Sequence, residues 1–333
     1  MIKREPRFAQ DMSNPEHAQL PAATPAPTSA EAYAEYLAKS FPVVRISGRP
    51  WYVDNRCLLP VAMPHRVGPV KLAEIRQAVW KTRAAVAIWN DGWDTAPCEW
   101  WAVCCDDKSY DIENLPSKSR RKGLRRGLRC CEVGRIELEW FAEYGYEVYA
   151  AAYRQYGSDL PTVSADDFAS AAMRNAEYPG RENWGAFVDG ALVAYLSCIV
   201  VDDAVINSAS KSIPSMQWAN PNEALHYLAA RHYLRERDMA YVVSGWRVLD
   251  HPTQIQDVLI SLGFRRVYCP VRIALHPALN VVLRSGVHRW GAAGIGLISK
   301  LLLHRLKAVD RLVHIAKECR PLVPDHHPAR DAT

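Results

Sequence analysis

Residues 185–196, GAFVDGALVAYL, form the clearest strand-turn-strand pattern in the chain. Asp189-Gly190 is a dipeptide that favours the tight turn of a β-hairpin, and mainly apolar residues flank it on both sides. The pattern extends over Trp184–Val188 and Leu192–Val201, and a further turn leads into a third strand at Ala204–Ala209. The stretch therefore predicts a three-stranded meander at the centre of an α/β unit.

Helices and strands flank this meander in a regular order. The predicted elements before it are a strand at 132–139 and helices at 141–156 and 165–176, the last capped by Ser164 with Asp167. The predicted elements after it are a helix from Asn220 to about Arg237, a strand at 241–244, a helix at 252–262 and a final strand at 264–275. Together they define a unit over residues 131–276.

The chain before residue 117 predicts a second, strand-rich unit over residues 31–116. Its predicted elements are a helix at 31–39, strands at 43–46 and 51–53, a helix at 71–83, and strands at 84–89 and 99–104. It contains no glycine-rich loop of the kind that cradles phosphate. Residues 1–30 predict a flexible leader and residues 321–333 a disordered end.

Basic residues crowd the connection between the two units, SKSRRKGLRRGLRC at 117–130. At about 100° per residue, a helix here carries one cationic stripe and turns Leu124 and Leu128 toward a core. The stripe consists of Lys118, Arg121, Lys122, Arg125, Arg126 and Arg129. Ser117 suits the N-cap, but cations then occupy the first turn, where the helix dipole favours anions, so a bound phosphate would relieve the mismatch. The alternative is a solvated face at a domain junction.

Composition indicates a globular protein with local rather than global basic character. The chain has 333 residues, 49% of them hydrophobic, and a formal net charge of +5. A surface that is basic overall, as in proteins that coat nucleic acids, is therefore not indicated. Nine cysteines without a CxxC motif predict reduced thiols in a cytoplasm rather than a disulfide framework or a zinc site. The leader has no apolar core of a signal peptide, and no apolar run reaches the length of a spanning helix.

The tail over residues 277–320 has the pattern of a basic amphipathic helix. Between residues 297 and 315, apolar side chains cover one half of a helical wheel and basic ones cover most of the other. Such a helix can lie on an anionic membrane surface at the inner face of a membrane. The alternative is that its apolar half packs on the preceding unit or on a second subunit.

The order of elements in 131–276 resembles that of a GNAT domain, the fold of many N-acyltransferases. The closer resemblance is to the FemAB-like branch, in which two GNAT-like units occur in tandem with a basic stretch similar to LSKxxRxxIRKAxK between them. The residues that match this stretch are Leu115, Ser117, Lys118, Arg120, Arg121, Leu124, Arg125, Arg126 and Arg129. The hairpin at 185–196 and the segment LGFRRVYCPVRI at 262–273 also look like parts of such domains.

The resemblance implies an α/β fold of two GNAT-like units with mixed sheets and transfer of an acyl or aminoacyl group to an amine acceptor. It implies acyl-CoA or aminoacyl-tRNA as a phosphate-rich co-substrate, and some members of the branch act on cell-envelope precursors. GNAT enzymes hold the CoA pyrophosphate with a glycine-containing loop, whereas residues 207–225 contain no glycine. The alternative function is a non-catalytic GNAT-like module that binds RNA or a protein partner through the basic helix.

Candidate site residues lie at the end of the meander and after the next strand. The predicted donor or substrate contacts are Asn207, Ser208, Ser210, Lys211, Ser244 and Trp246, and the predicted catalytic residues are Glu223, His226 and Asp250. Hydroxyls, amides and a lysine can hold a carbonyl or phosphate, and carboxylates or histidine can move protons. Ordinary structural roles are the alternative: strand-end polar groups, a helix cap at Glu223 or Asp250, a packed histidine, and a pocket wall at Trp246.

Overall fold

A computed structural model describes residues 28–155, 163–248, 255–285 and 300–319. Its helices are α1 (Ala30–Ala38), α2 (Leu72–Thr82), α3 (Lys118–Cys130), α4 (Leu138–Arg154), α5 (Ala165–Asn175), α6 (Pro221–Arg231), α7 (Ile255–Ser261), α8 (Pro277–Ser285) and α9 (Lys300–Glu318). Its strands are β1 (Val43–Ile46), β2 (Arg49–Asp54), β3 (Cys57–Pro60), β4 (Val86–Asn90), β5 (Trp101–Cys105), β6 (Glu132–Ile136), β7 (Arg181–Val188), β8 (Ala191–Val201), β9 (Ala204–Ser212), β10 (Tyr241–Trp246), β11 (Arg265–Tyr268) and β12 (Val271–Leu275). The predicted leader, the predicted disordered end and Asp250 lie outside the described residues, apart from residues 28–30.

The strands form two mixed sheets flanked by helices, so the predicted fold class is confirmed. The first sheet has the order β1-β2-β3-β4-β12, and the second has the order β11-β5-β10-β9-β8-β7-β6. Each sheet contains an antiparallel meander followed by a helix and a parallel strand: β1-β2-β3-α2-β4 in the first and β7-β8-β9-α6-β10 in the second. This order, repeated in tandem, is the GNAT-like order that the sequence predicts.

The two sheets exchange strands, which the sequence does not predict. β5, from the first half of the chain, lies between β10 and β11 of the second sheet, and β12, from the second half, pairs with β4 of the first. The single strand predicted at 264–275 is therefore wrong, because the chain leaves the second sheet after Tyr268 and enters the first at Val271. Pro270 lies at the crossing and has no N–H for a ladder. Neither half of the chain completes its sheet alone.

Burial follows the two faces of each sheet. α6 packs on one face of the second sheet around Leu196 and Val205, and α4 with α5 packs on the opposite face around Phe141 and Tyr195. α2 covers the first sheet with the buried side chains of Ile75 and Val79. The predicted strand at 132–139 ends earlier than expected, because α4 already begins at Leu138.

The C-terminal helix packs on the protein, which is the second of the two alternatives that the sequence leaves open. Leu312, Ile315 and Cys319, at the end of α9 and just after it, are buried in a cluster that also contains Val243 and Val271. The described part of its apolar side is thus covered by protein. No helix among the described residues combines the length and the apolarity needed to cross a bilayer.

Candidate functional site

Two β-bulges lie where the parallel pairing of β9 with β10 ends in the second sheet, a place that we call the cleft. The two strands run parallel and pair as far as Ile206 with Val243. Beyond that pair, Ser208 is an extra residue in β9 opposite β8, and β10 has an extra residue opposite β5. Gly245 lies in this second bulge with a φ of +87°, a conformation that glycine adopts without a steric penalty. The strands therefore diverge at Asn207 and Ser244.

Asn207 links the two diverging strands. Its Nδ2 donates to Ser244 Oγ at 2.6 Å, and its Oδ1 accepts from the buried thiol of Cys198 at 3.4 Å. In this orientation of the amide, the nitrogen faces β10 and the oxygen faces β8. The same Nδ2 lies 3.4 Å from His226 Nδ1.

His226 projects from α6 into the cleft and is only 2% exposed. Its Nδ1 faces the amide nitrogen of Asn207 at 3.4 Å, and its Nε2 faces Ser210 Oγ at 3.3 Å, an arrangement that suits the tautomer with its hydrogen on Nε2. Burial lowers the pKa of His226 to about 4, because desolvation disfavours the imidazolium. The ring is therefore neutral at physiological pH. Ser210 and Ser244 both accept in this arrangement, so the hydroxyl hydrogen of each is available to another acceptor.

Of the predicted site residues, Asn207, Ser210, His226 and Ser244 come together in this cluster. Lys211 does not join it, because the bulge turns its side chain to the α4 face, where Nζ lies 4.7 Å from the Tyr153 ring centroid. Burial lowers the pKa of Lys211.

Trp246 and Ser208 also lie apart from the cluster. The Trp246 side chain packs with Val243 in the apolar cluster on the other side of the sheet. Ser208 is exposed and donates to the carbonyl of Ser197 at 3.0 Å, within its own bulge. This contact fits the alternative of an ordinary strand-end polar group.

The helix α6 begins where the sequence predicts, with Asn220 at the N-cap and Pro221 in the first turn, but it lacks a side-chain capping bond. Asn220 occupies the N-cap with a φ of +52° and makes no side-chain capping bond. Its Nδ2 donates instead to the carbonyl of Gly123 on α3 at 2.9 Å. Glu223 is half-buried, and its carboxylate makes no hydrogen bond to the Asn220 N–H or to His226, both of which belong to the described residues.

Sequence reasoning missed some polar residues around the cluster. Asn222 Nδ2 donates to Ser212 Oγ at 2.9 Å, one helical turn before His226. The four-residue spacing of Asn222 and His226 on α6 is the signal that could have indicated a shared polar face. Cys198 has no such signal, because its neighbours in β8 are mostly apolar.

A buried ion cluster supports α6 beyond the cleft. The side chain of Glu182 is 2% exposed and accepts from Arg237 at 2.6 Å and from Tyr233 Oη at 2.8 Å. Arg135 Nε lies 3.5 Å from the same carboxylate. Tyr233 in turn accepts from Trp184 Nε1 at 3.0 Å. These bonds satisfy a charge that would otherwise be costly to bury.

The basic helix packs directly against the start of α6. Leu124 is fully buried as predicted, and a Cβ at Gly127 would lie 2.8 Å from the carbonyl oxygen of Asn220. Glycine thus allows the two helix backbones to approach closely. The stripe therefore borders the segment that leads from β9 to the histidine-bearing helix.

The cations of the stripe differ in their surroundings. Arg125 pairs with Glu113 at 2.6 Å, and Arg121 donates to the carbonyl of Leu115. Arg126 lies over the ring of Trp218 at 5.7 Å. The exposed members with neither a carboxylate nor a ring partner among the described residues are Lys118, Lys122 and Arg129.

The fold has distant counterparts among solved structures. FemX aligns over 76% of this chain and 93% of its own, with 9% identity and a TM-score of 0.49. The C-terminal domain of a putative lysylphosphatidylglycerol synthetase from Agrobacterium fabrum aligns over 81% and 98%, with 11% identity and a TM-score of 0.48. A tandem GNAT protein from the clavulanic acid biosynthesis pathway aligns over 75% and 98%, with 13% identity and a TM-score of 0.42.

No family model matches the chain, and no curated protein matches it. The structural alignments share only the fold, and at these identities they specify neither a substrate nor the role of any residue.

Proposed function

We propose that the protein is an acyltransferase that moves an acyl or aminoacyl group onto an amine in the cleft between β9 and β10. The observation that carries the proposal is the cluster of Asn207, Ser210, His226 and Ser244 where the parallel strands diverge. Burying polar side chains in that position costs free energy of folding, and apolar residues would pack there without needing hydrogen bonds. Polar side chains there are therefore expected to have a function.

The chemistry fits the groups that the cleft presents. In such a transfer, the amine nitrogen attacks the donor carbonyl, a C–N bond forms, and the C–S bond of a thioester or the C–O bond of an aminoacyl ester breaks. Negative charge develops on the carbonyl oxygen, which hydroxyl donors stabilise. Ser210 and Ser244 supply those donors, and the released amine proton passes to the leaving group or to water.

His226 acts as a positioning residue in this scheme. A pKa of about 4 makes it a weak base at neutral pH. Its Nε2–H holds Ser210, and its Nδ1 faces the amide that holds Ser244. It therefore orients both hydroxyls in the ground state without changing protonation.

The donor is proposed to be rich in phosphate. The stripe on α3 borders the segment between β9 and α6, and its Lys118, Lys122 and Arg129 are exposed. Acyl-CoA and aminoacyl-tRNA both carry several phosphates. Positive side chains next to the cleft would bind either one.

The test is product formation by the full chain with acetyl-CoA or with aminoacyl-tRNA and a panel of amines, followed by mass spectrometry. Ser244→Ala and Ser210→Ala should each reduce the rate about 100-fold, the usual effect of losing one oxyanion donor. Ser208→Ala is the matched control, because this serine lies on the same strand but outside the cluster. Equal rates for all three variants would reject the cleft as the site.

A second candidate is a non-catalytic module that binds RNA through the stripe. The exposed cations Lys118, Lys122 and Arg129 favour it, since phosphate contacts need no catalytic groups. Thermal unfolding with acyl-CoA, aminoacyl-tRNA and bulk RNA separates the two, because a ligand at 100 times its Kd stabilises by about 2.7 kcal/mol. An equal response to bulk RNA and charged tRNA, without product, would favour the module. Replacing the three cations with glutamine should abolish either response.

A further inference from the structure

An exposed apolar surface lies at the end of the first sheet, away from the cleft in the second. Trp80 at the end of α2 is 63% exposed, and Val281 and Val282 on α8 are 67% and 40% exposed. Large apolar side chains grouped on a surface mark a contact with a partner or a membrane more often than scattered ones do.

His276 joins Trp80 to α8. Its ring stacks on the indole with centroids 5.2 Å apart and planes 9° apart. Its Nδ1 accepts from the backbone N–H of Ala278 at 3.3 Å, at the start of α8. Leu283 is buried and anchors the same helix. The three exposed side chains therefore sit on a supported surface, which we call the Trp80 surface.

The charged side chains on α8 and those after Glu74 on α2 are all basic. Arg76 lies one turn before Trp80 on α2, Lys81 follows it, and Arg284 lies near the end of α8; all three are exposed. None of them pairs with a carboxylate among the described residues. α8 contains no acidic residue, and α2 contains none after Glu74. Apolar side chains beside these three cations complement an anionic lipid surface.

We propose that the Trp80 surface docks the protein on an anionic membrane. The indole and the two valines would enter the headgroup region, where tryptophan is favoured. Arg76, Lys81 and Arg284 would pair with lipid phosphates. The contact uses a different element from the amphipathic helix α9, whose described apolar side chains are covered by the protein core. The proposal is independent of the chemistry in the cleft.

The experiment is co-sedimentation of the full chain with vesicles of phosphatidylcholine alone or with phosphatidylcholine mixed with phosphatidylglycerol. Binding should require the anionic lipid. Arg76→Gln, Lys81→Gln and Arg284→Gln together should weaken partitioning on the order of 100-fold, since each basic residue near the surface contributes about fivefold. Trp80→Ala with Val281→Ser should also weaken it. Thermal unfolding checks that these variants fold, which their exposure leads us to expect.

Met173→Ala with Arg174→Gln is the matched control, because both residues are exposed on α5 of the other unit. It should bind vesicles like the unaltered chain. Three results would overturn the proposal: no binding to anionic vesicles, unchanged binding by the charge and apolar variants, or a concentration-dependent dimer that Trp80→Ala abolishes. The last result would assign the surface to a second copy of the chain.

Discussion

Two parallel strand pairs in the described part of the chain have the same topology, but the side chains between strands and helix are apolar in one pair and partly polar in the other. In the first sheet, β3 and β4 pair beneath α2, and the space between them and the helix is filled by Trp51, Leu58 and Ile75, all fully buried. In the second sheet, β9 and β10 diverge beneath α6 around Asn207 and His226. Backbone order alone therefore does not make a site. The proposed site combines bulges at which the strands stop pairing with polar side chains in place of apolar ones.

The largest effect on stability should come from the ion cluster that supports α6. Glu182→Ala leaves Arg237, Arg135 and Tyr233 without their buried acceptor, so we expect a loss of about 3–5 kcal/mol in the free energy of unfolding. Urea denaturation measures it. Glu113→Ala, which breaks only the exposed pair with Arg125, should cost less than about 1 kcal/mol. Equal losses would mean that the second unit does not depend on its buried polar groups.

Substitutions in the apolar core of the first sheet should lower stability without changing the rate of acyl transfer. Leu58→Ala removes a fully buried side chain and should cost about 2–5 kcal/mol through lost burial and a cavity. Under conditions in which the variant is fully folded, the rate of product formation per molecule should not change. A lower rate in the folded variant would show that the first unit contributes to the site.

The buried His226 in the second sheet should make the stability of the protein depend on pH. Because the pKa of His226 falls from its usual 6.5 to about 4, the unfolded chain binds the proton first as the pH drops. Its contribution to stability is intact above about pH 6.5 and is lost as the pH falls toward 4. Between about pH 7.5 and about pH 5 the loss is about 2 kcal/mol.

His226→Gln keeps a polar side chain of similar length but cannot titrate. The unfolding free energy of this variant should therefore fall less between about pH 7.5 and about pH 5, by about the same 2 kcal/mol. The measurement is urea denaturation at both pH values. If the two chains show the same pH dependence, the imidazole is not held neutral by burial.

The smallest effect distinguishes the two glycines of the basic helix. Gly127→Ala places a methyl group 2.8 Å from the Asn220 carbonyl, so α3 must move away from α6 at a cost of about 1–3 kcal/mol. A methyl group at Gly123 has its nearest neighbour at 3.7 Å, and alanine there should stabilise the helix by up to about 1 kcal/mol. Thermal unfolding of the two variants should therefore shift in opposite directions. Shifts in the same direction would contradict the close contact of α3 with α6.

Local patterns in the sequence predicted the elements that local physics controls. The hairpin at 185–196 and the burial of Leu124 follow from turn chemistry and periodicity. Asn207, Ser210, His226 and Ser244 could be named as candidates because polar residues interrupt apolar segments. Their mutual contacts could not be predicted, since the bulge that turns Lys211 away from them depends on pairing with β8.

The exchange of strands between the sheets could not be predicted from local patterns either. β5 and β12 are short, mainly apolar segments, and nothing in such a segment specifies which of two sheets it joins. The choice depends on edges that only the assembled molecule presents. The role of Asp250 stays a prediction, because it lies outside the described residues.

The exchange of strands has a consequence for synthesis on the ribosome. Val86 pairs with Leu275, so the edge of β4 has no partner until most of the chain has been made. An apolar strand with an open edge is a template for wrong pairing and aggregation. We therefore expect nascent chains that stop before β12 to be captured by chaperones or degraded, and the first unit to reach its native form only when the second is nearly complete.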